Sequence, residues 1–259
     1  MKRILTILIL LTSLDLAVAT ATAPATQTLT PSTLHYSLFF NWKFVWIKAG
    51  DATLTTHPTT YKGQHAYQST LLANSSKTAD NIFRLRDTLT TIVTPQADPL
   101  YFVKHCEEGK DIVYERAWFS RTPEGKHRAK QTKIYADGRI RESDVTDSRT
   151  IYDMVSLLLY ARTFDANTLH TGQRLTYPMV TGRRVEEQVL TYLGHETIEK
   201  LDGTPADCLV FSLVQPKAID GKTTESEVIR FYISNDDSHT PVQLDLFLKF
   251  GVAKAKLTE

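Results

Sequence analysis

The sequence predicts a mainly β protein: a curved antiparallel sheet, forming a barrel or half-barrel, around one buried central helix at about 150–164. Three observations predict it. Runs of aromatic and β-branched residues recur from residue 34 to the C-terminus, most of them separated by turn residues. One segment has a helical pattern, and it is apolar over most of its circumference, so it must be buried on more than one side. No repeat of fixed period and no linker interrupts the chain after residue 33, so the strands share one core.

The first strands fall at 34–40 and 44–56, where Gly50 marks a bulge or a close backbone approach. Further strands are expected at 65–73, 82–94, 100–106 and 112–120. Pro123-Glu124-Gly125 makes a tight turn, and Asp137-Gly138 joins a hairpin of 130–136 with 139–145. The segment 150–164 contains neither Gly nor Pro, and Asp153 stands in capping-box spacing after Thr150. Ile151, Val155, Leu158 and Leu159 share one face of this helix, which Met154, Leu157 and Ala161 widen. Strands resume at 174–181, 184–193, 206–214, 225–234, 242–249 and 252–257. Residues 235–238 form a polar turn, and Pro241 opens the strand after it, where its missing donor does least harm.

The N-terminus has the layout of a secretory signal peptide over residues 1–19. Met1-Lys2-Arg3 is the positive head, an apolar run follows, and Ala17-Val18-Ala19 is a small-x-small cleavage signal. The run is short for a membrane span, which needs about 20 residues; the rival reading is an uncleaved anchor. The expected localisation is therefore export, most simply to a periplasm. Residues 20–33, rich in Thr, Ala and Pro, read as a disordered leader, and 34–259 as a single β-rich domain. Removing residues 1–19 takes away Lys2, Arg3 and Asp15 and leaves 28 bases and 28 acids on 240 residues. Such a neutral chain has no overall electrostatic pull toward nucleic acid or an anionic membrane. No second long apolar run exists, so no transmembrane segment is expected in the mature chain.

Cys106 and Cys208 admit two readings: a disulfide in an oxidising compartment, or two separate buried thiols. Alternation along 83–89 puts Arg84 and Arg86 on one face, either gripping an anion in a cavity or forming cross-strand ion pairs. Arg162 ends the helix, where a base suits the helix dipole and is also placed for a ligand. Among the aromatics crowded into 36–46, Trp42 and Trp46 are candidates for lining a cavity beside a core role. Asp236, Asp237 and His239 share a loop that suits a cation less well than ordinary turn chemistry. No metal and no cofactor is expected. The Gly-x-Ser-x-Gly elbow, the His-Glu-x-x-His motif, the glycine-rich phosphate loop and Cys-x-x-Cys are all missing, so no catalytic residue is named.

Several stretches together resemble a family of exported bacterial proteins catalogued as domain of unknown function 3108. They are Asn41-Trp42-Lys43-Phe44-Val45-Trp46-Ile47-Lys48-Ala49-Gly50-Asp51-Ala52 and Ala79-Asp80-Asn81-Ile82-Phe83-Arg84-Leu85-Arg86-Asp87-Thr88. The helix through Tyr160-Ala161-Arg162, Tyr192-Leu193-Gly194-His195-Glu196, Ile233-Ser234-Asn235-Asp236-Asp237 with Pro241-Val242, and Phe250-Gly251-Val252-Ala253-Lys254-Ala255 complete the set. The likeness is to members from Bacteroidetes. It implies a periplasmic or surface-directed, largely β protein, and it offers no catalytic residues to carry over.

The leading expectation is a non-catalytic binding or envelope-assembly module for an apolar or amphipathic ligand. The partner would be such a small molecule or an envelope protein. The alternatives are a glycan-directed hydrolase using two convergent carboxylates and a structural partner of an outer-membrane complex.

Overall fold

A computed structural model describes residues 28–42, 45–81, 83–109, 111–219, 222–248 and 251–258. The expected signal peptide and most of the expected leader lie outside the described residues, as do Phe44 and the side chain of Trp42. The strands of the first half are β1 (Ser32–Trp42), β2 (Val45–Tyr61), β3 (Gln64–Ser75), β4 (Leu85–Val93), β5 (Pro99–Glu108), β6 (Asp111–Arg121), β7 (His127–Tyr135) and β8 (Ile140–Asp147). Helix α1 (Met154–Ala161) follows. The second half holds β9 (Arg174–Val180), β10 (Val185–Glu199), β11 (Pro205–Ile219), β12 (Lys222–Ser234), β13 (Pro241–Leu248) and β14 (Gly251–Leu257). Each expected strand overlaps one of these.

All fourteen strands form one antiparallel sheet in the order β8-β7-β6-β5-β4-β3-β2-β1-β14-β13-β12-β11-β10-β9, curled into a nearly closed barrel. Two meanders are thus joined at a seam between the first and last strands, from Tyr36 opposite Leu257 to Phe40 opposite Ala253. The free edges are β8 and β9. The segment between β8 and α1 narrows the gap between them. Tyr152 forms a parallel bridge with Met179, donating its N–H to the Pro178 carbonyl at 2.9 Å and accepting from the Val180 N–H at 2.8 Å. Arg149 spans the same gap, holding Asp147 at 2.9 Å and Glu187 at 2.7 Å. Because neighbours run antiparallel, the turns after odd-numbered strands lie at one end of the barrel, here called the mouth, and those after even-numbered strands at the other.

The helix packs inside the sheet, where its composition requires it to be. Val155, Leu157, Leu158, Leu159 and Ala161 are buried, with Phe164 and Phe211 against it from the loop and from β11. It is shorter than 150–164, and its cap sits three residues later than the Thr150 spacing suggested. Asp153 is itself the N-cap, accepting from the Val155 and Ser156 N–H groups at 2.9 Å, while the Ser156 hydroxyl accepts from the Asp153 N–H. Residues 151–153 are not helical, because the Tyr152 backbone is spent on the bridge to β9.

Two further expectations meet the structure at the start of the chain. Gly50 lies at a register shift between β1 and β2, and a Cβ there would overlap the Asn74 carbonyl, so it marks both a bulge and a close approach. The leader expected at 20–33 is ordered by its end. Leu29 is buried in the main core with its N–H on the Pro95 carbonyl at 3.0 Å, and β1 already begins at Ser32.

Candidate functional site at the barrel mouth

Alternation sorts β4 to β7 into two faces. Asp87 and Leu89 of β4, Lys104 and Cys106 of β5, Val113 and Glu115 of β6, and Gln131, Lys133 and Tyr135 of β7 share the inner one. Near α1 this face is apolar. Toward the mouth it turns polar, and a recess of about 490 Å³ opens there, lined by Lys104, Cys106, Glu108, Val113, Lys133 and Tyr135 and by Asp137 and Arg139 of the β7–β8 turn.

The charges of this chamber are unevenly matched. Lys133 is paired with the buried Glu115, and Arg139 with Asp137 at 2.6 Å. Lys104 makes no ion pair among the described residues. Its burial would lower the ammonium, but Cys106, Glu115, Glu108 and Asp87 around it more than reverse this, and it is held above its ordinary value. Asp87 is pushed up to about 6, first by burial and then by Glu108, against a hydrogen bond with the Cys106 thiol. Burial drives Cys106 upward as well, so it stands as a thiol rather than a thiolate. Donor atoms of Asp87, Cys106 and Glu108 lie within 4.8 Å of one another. Deeper on the same face, the Gln131 amide and the Ser143 hydroxyl are buried without partners among the described residues.

A second recess, of about 240 Å³, lies on the outer face and is lined by His105, Tyr114, Ile134, Ile112, Tyr135 and Ala136. The two recesses share Ile112, Tyr135 and Ala136, so they meet over the lip of the barrel. Tyr135 is fixed there by cations, with Arg139 at 4.8 Å and Lys133 at 5.4 Å from its ring centroid.

The residues singled out from the sequence lie elsewhere. Arg86 forks onto Asp80, with Nη1 to Oδ1 at 3.0 Å, and Arg84 reaches Glu107 at 3.2 Å. Both are ion pairs off the inner face, so neither lines a cavity. Arg162 is 5% exposed and ties the end of α1 to a loop. Its Nε donates to the His239 carbonyl at 2.9 Å, and its own carbonyl contacts His239 Nδ1 at 2.7 Å. Burial lowers this guanidinium, with Tyr36 acting the other way. It is a structural clamp remote from both recesses.

Trp46 is exposed on the outside, with Lys254 Nζ 5.3 Å from its ring, and lines neither recess. Of Trp42 only the backbone, at the end of β1, is described. The disulfide reading is corrected: Cys106 and Cys208 are free, buried in different apolar clusters. Asp236 is spent on its own turn, accepting from Ser238 N at 2.9 Å and from Ser234 Oγ at 2.9 Å. Sequence reading missed Lys104, Glu108, Lys133 and Tyr135. Their signal was present as polar side chains at alternate positions, Lys104, Cys106 and Glu108 on one strand and Gln131, Lys133 and Tyr135 on another, visible only once the inner face is known.

Among the described residues no helix is long and apolar enough to cross a membrane. No curated protein matches the chain. The crystal structure of a β-barrel-like protein of domain of unknown function DUF1849 from Brucella abortus is similar in fold, with a TM-score of 0.55 and 11% sequence identity. That match covers 91% of this chain and 98% of the other. A sequence profile described as "Protein of unknown function (DUF3108)" matches residues 33–258, and the chain belongs to that family.

Proposed function

We propose that the protein is a non-catalytic binding module for an amphipathic small molecule. The observation that carries this reading is the pair of recesses meeting at Ile112, Tyr135 and Ala136, polar on the inside and apolar on the outside. A polar head would enter the chamber toward Lys104, which has no ion pair among the described residues and gains most from a partner. The apolar part would lie over the lip against Ile134 and Tyr114. A wholly apolar ligand is less well served, because α1 and its aromatic neighbours fill the apolar part of the interior. The N-terminal sequence supports action outside the cytoplasm, most simply in a periplasm.

Isothermal titration with a single-chain zwitterionic lysophospholipid below its micelle concentration tests the reading. Saturable binding is expected, weakened about tenfold by Lys104→Glu and by Val113→Asp. Equal heats for wild type and both variants would sink it.

One observation favours a hydrolase. Asp87 and Glu108 converge within 4.8 Å and Asp87 is pushed up to about 6, as an acid partner would need to be. Against it, Asp87 Oδ1 is buried and Asp87 does not line the chamber, so a substrate has no approach to it. Asp87→Asn should therefore leave lysophospholipid binding unchanged, and loss of an activity on glycans in that variant would establish the other reading.

A further inference from the structure

We propose that Arg162, at the end of the barrel opposite the mouth, binds a compact monovalent anion of the size of chloride. Arg162 is the C-cap of α1 and is 5% exposed. A guanidinium carries five N–H donors and a charge that a protein does not remove. The clamp onto the β12–β13 loop uses Nε alone, which donates to the His239 carbonyl at 2.9 Å. Nη1 is buried without a partner, and Nη2 has no acceptor among the described residues either. The edge of the fork that ordinarily grips an anion is therefore unused.

Nothing described around Arg162 neutralises it. No carboxylate among the described residues pairs with it, and Tyr36 is the group it feels electrostatically. Burial raises the Tyr36 hydroxyl, which stays neutral and donates to the Pro241 carbonyl at 2.7 Å. Asp236, an acid of the same loop, is held by Ser234 and Ser238. The carbonyl end of α1 offers only about half a unit of negative charge. Buried charges are ordinarily paired, because an unpaired one is among the most costly groups a fold can hold. A clamp alone does not call for one: a neutral glutamine amide also donates to a carbonyl. Water on Nη1 and Nη2 would satisfy the donors and leave the charge.

The same observations set the class of the ligand. One buried positive charge is matched by one negative charge, whereas a dianion would leave a surplus of its own. The slight exposure of Arg162 suits an ion of atomic size better than an organic acid. Neutralising Arg162 would strengthen the joint between α1 and the β12–β13 loop, which meet there. The site is independent of what the chamber binds.

Crystals of the protein grown in sodium bromide test this without any variant, because bromide replaces chloride and scatters anomalously. An anomalous peak in contact with Nη1 or Nη2 of Arg162 is expected. Water on both nitrogens, with no anomalous signal there, overturns the proposal. Thermal melts in which chloride replaces gluconate at constant ionic strength give a second readout. At a chloride concentration about ten times Kd the unfolding equilibrium constant should have fallen about tenfold, and the rise in melting temperature should follow a saturation curve. Arg162→Gln should lose the saturating part of that rise. Identical wild-type melts in the two salts overturn the proposal, as does a saturating rise that Arg162→Gln keeps in full, which would put the anion elsewhere.

Discussion

Asp153 shows how one buried carboxylate couples helix, sheet and pH. It has no solvent exposure, caps α1 through two backbone N–H groups and accepts from the Thr91 hydroxyl of β4 at 2.8 Å. Burial outweighs these bonds and pushes its pKa up to about 6. The fold therefore binds a proton that the unfolded chain releases near its ordinary value of about 4. The stability this group confers is complete below that value and is lost as pH rises through about 6. The loss amounts to at most about 3 kcal/mol. Urea unfolding at a series of pH values should show the midpoint falling between about pH 4 and 7, and Asp153→Asn, which keeps the cap, should flatten that slope. A slope unchanged in Asp153→Asn would assign it to other groups, Asp87 first. Free Cys106 and Cys208 give a second residue-scale expectation: thiol titration in denaturant without reductant should count two thiols per chain, and a count of none would restore the bridge.

At the scale of elements, Gly50 and α1 carry the most specific expectations. Gly50→Ala forces a Cβ into the Asn74 carbonyl, a backbone atom that cannot swing aside, so β2 and β3 must separate locally at a cost of about 1–3 kcal/mol. Leu159→Ala removes a side chain with no exposure from the centre of the core and should cost about 2–5 kcal/mol. Thermal melts check both. These elements were legible in the sequence, because alternation and turn chemistry act over a few residues: Asp137-Gly138 and 235–238 both turn the chain where the sequence has them turn it. The helix was legible as a buried helix but not in its limits. Its N-terminus is set by Tyr152 pairing with Met179, far along the chain, a contact no local pattern encodes. Arg84 and Arg86 were legible as a same-face pair, whereas their partners Glu107 and Asp80 decide their role, and Glu107 arrives from the next strand.

The whole molecule is a nearly closed barrel whose chamber opens at the mouth end. The order of its fourteen strands brings the two termini of the domain together at the β1–β14 seam and leaves β8 and β9 to be bridged by Tyr152 and Arg149. The candidate site belongs to this scale, since Lys104, Glu108, Lys133 and Tyr135 come from β5, from its end and from β7, and no spacing in the sequence joins them. Whether the chamber holds an amphiphile is decided by native mass spectrometry of the protein purified gently from its own cells, beside Lys104→Glu and a denatured control. The wild type should show a mass above that of the chain, its excess lost on denaturation and in Lys104→Glu. A wild-type mass equal to the bare chain, or an excess that Lys104→Glu retains in full, would contradict it.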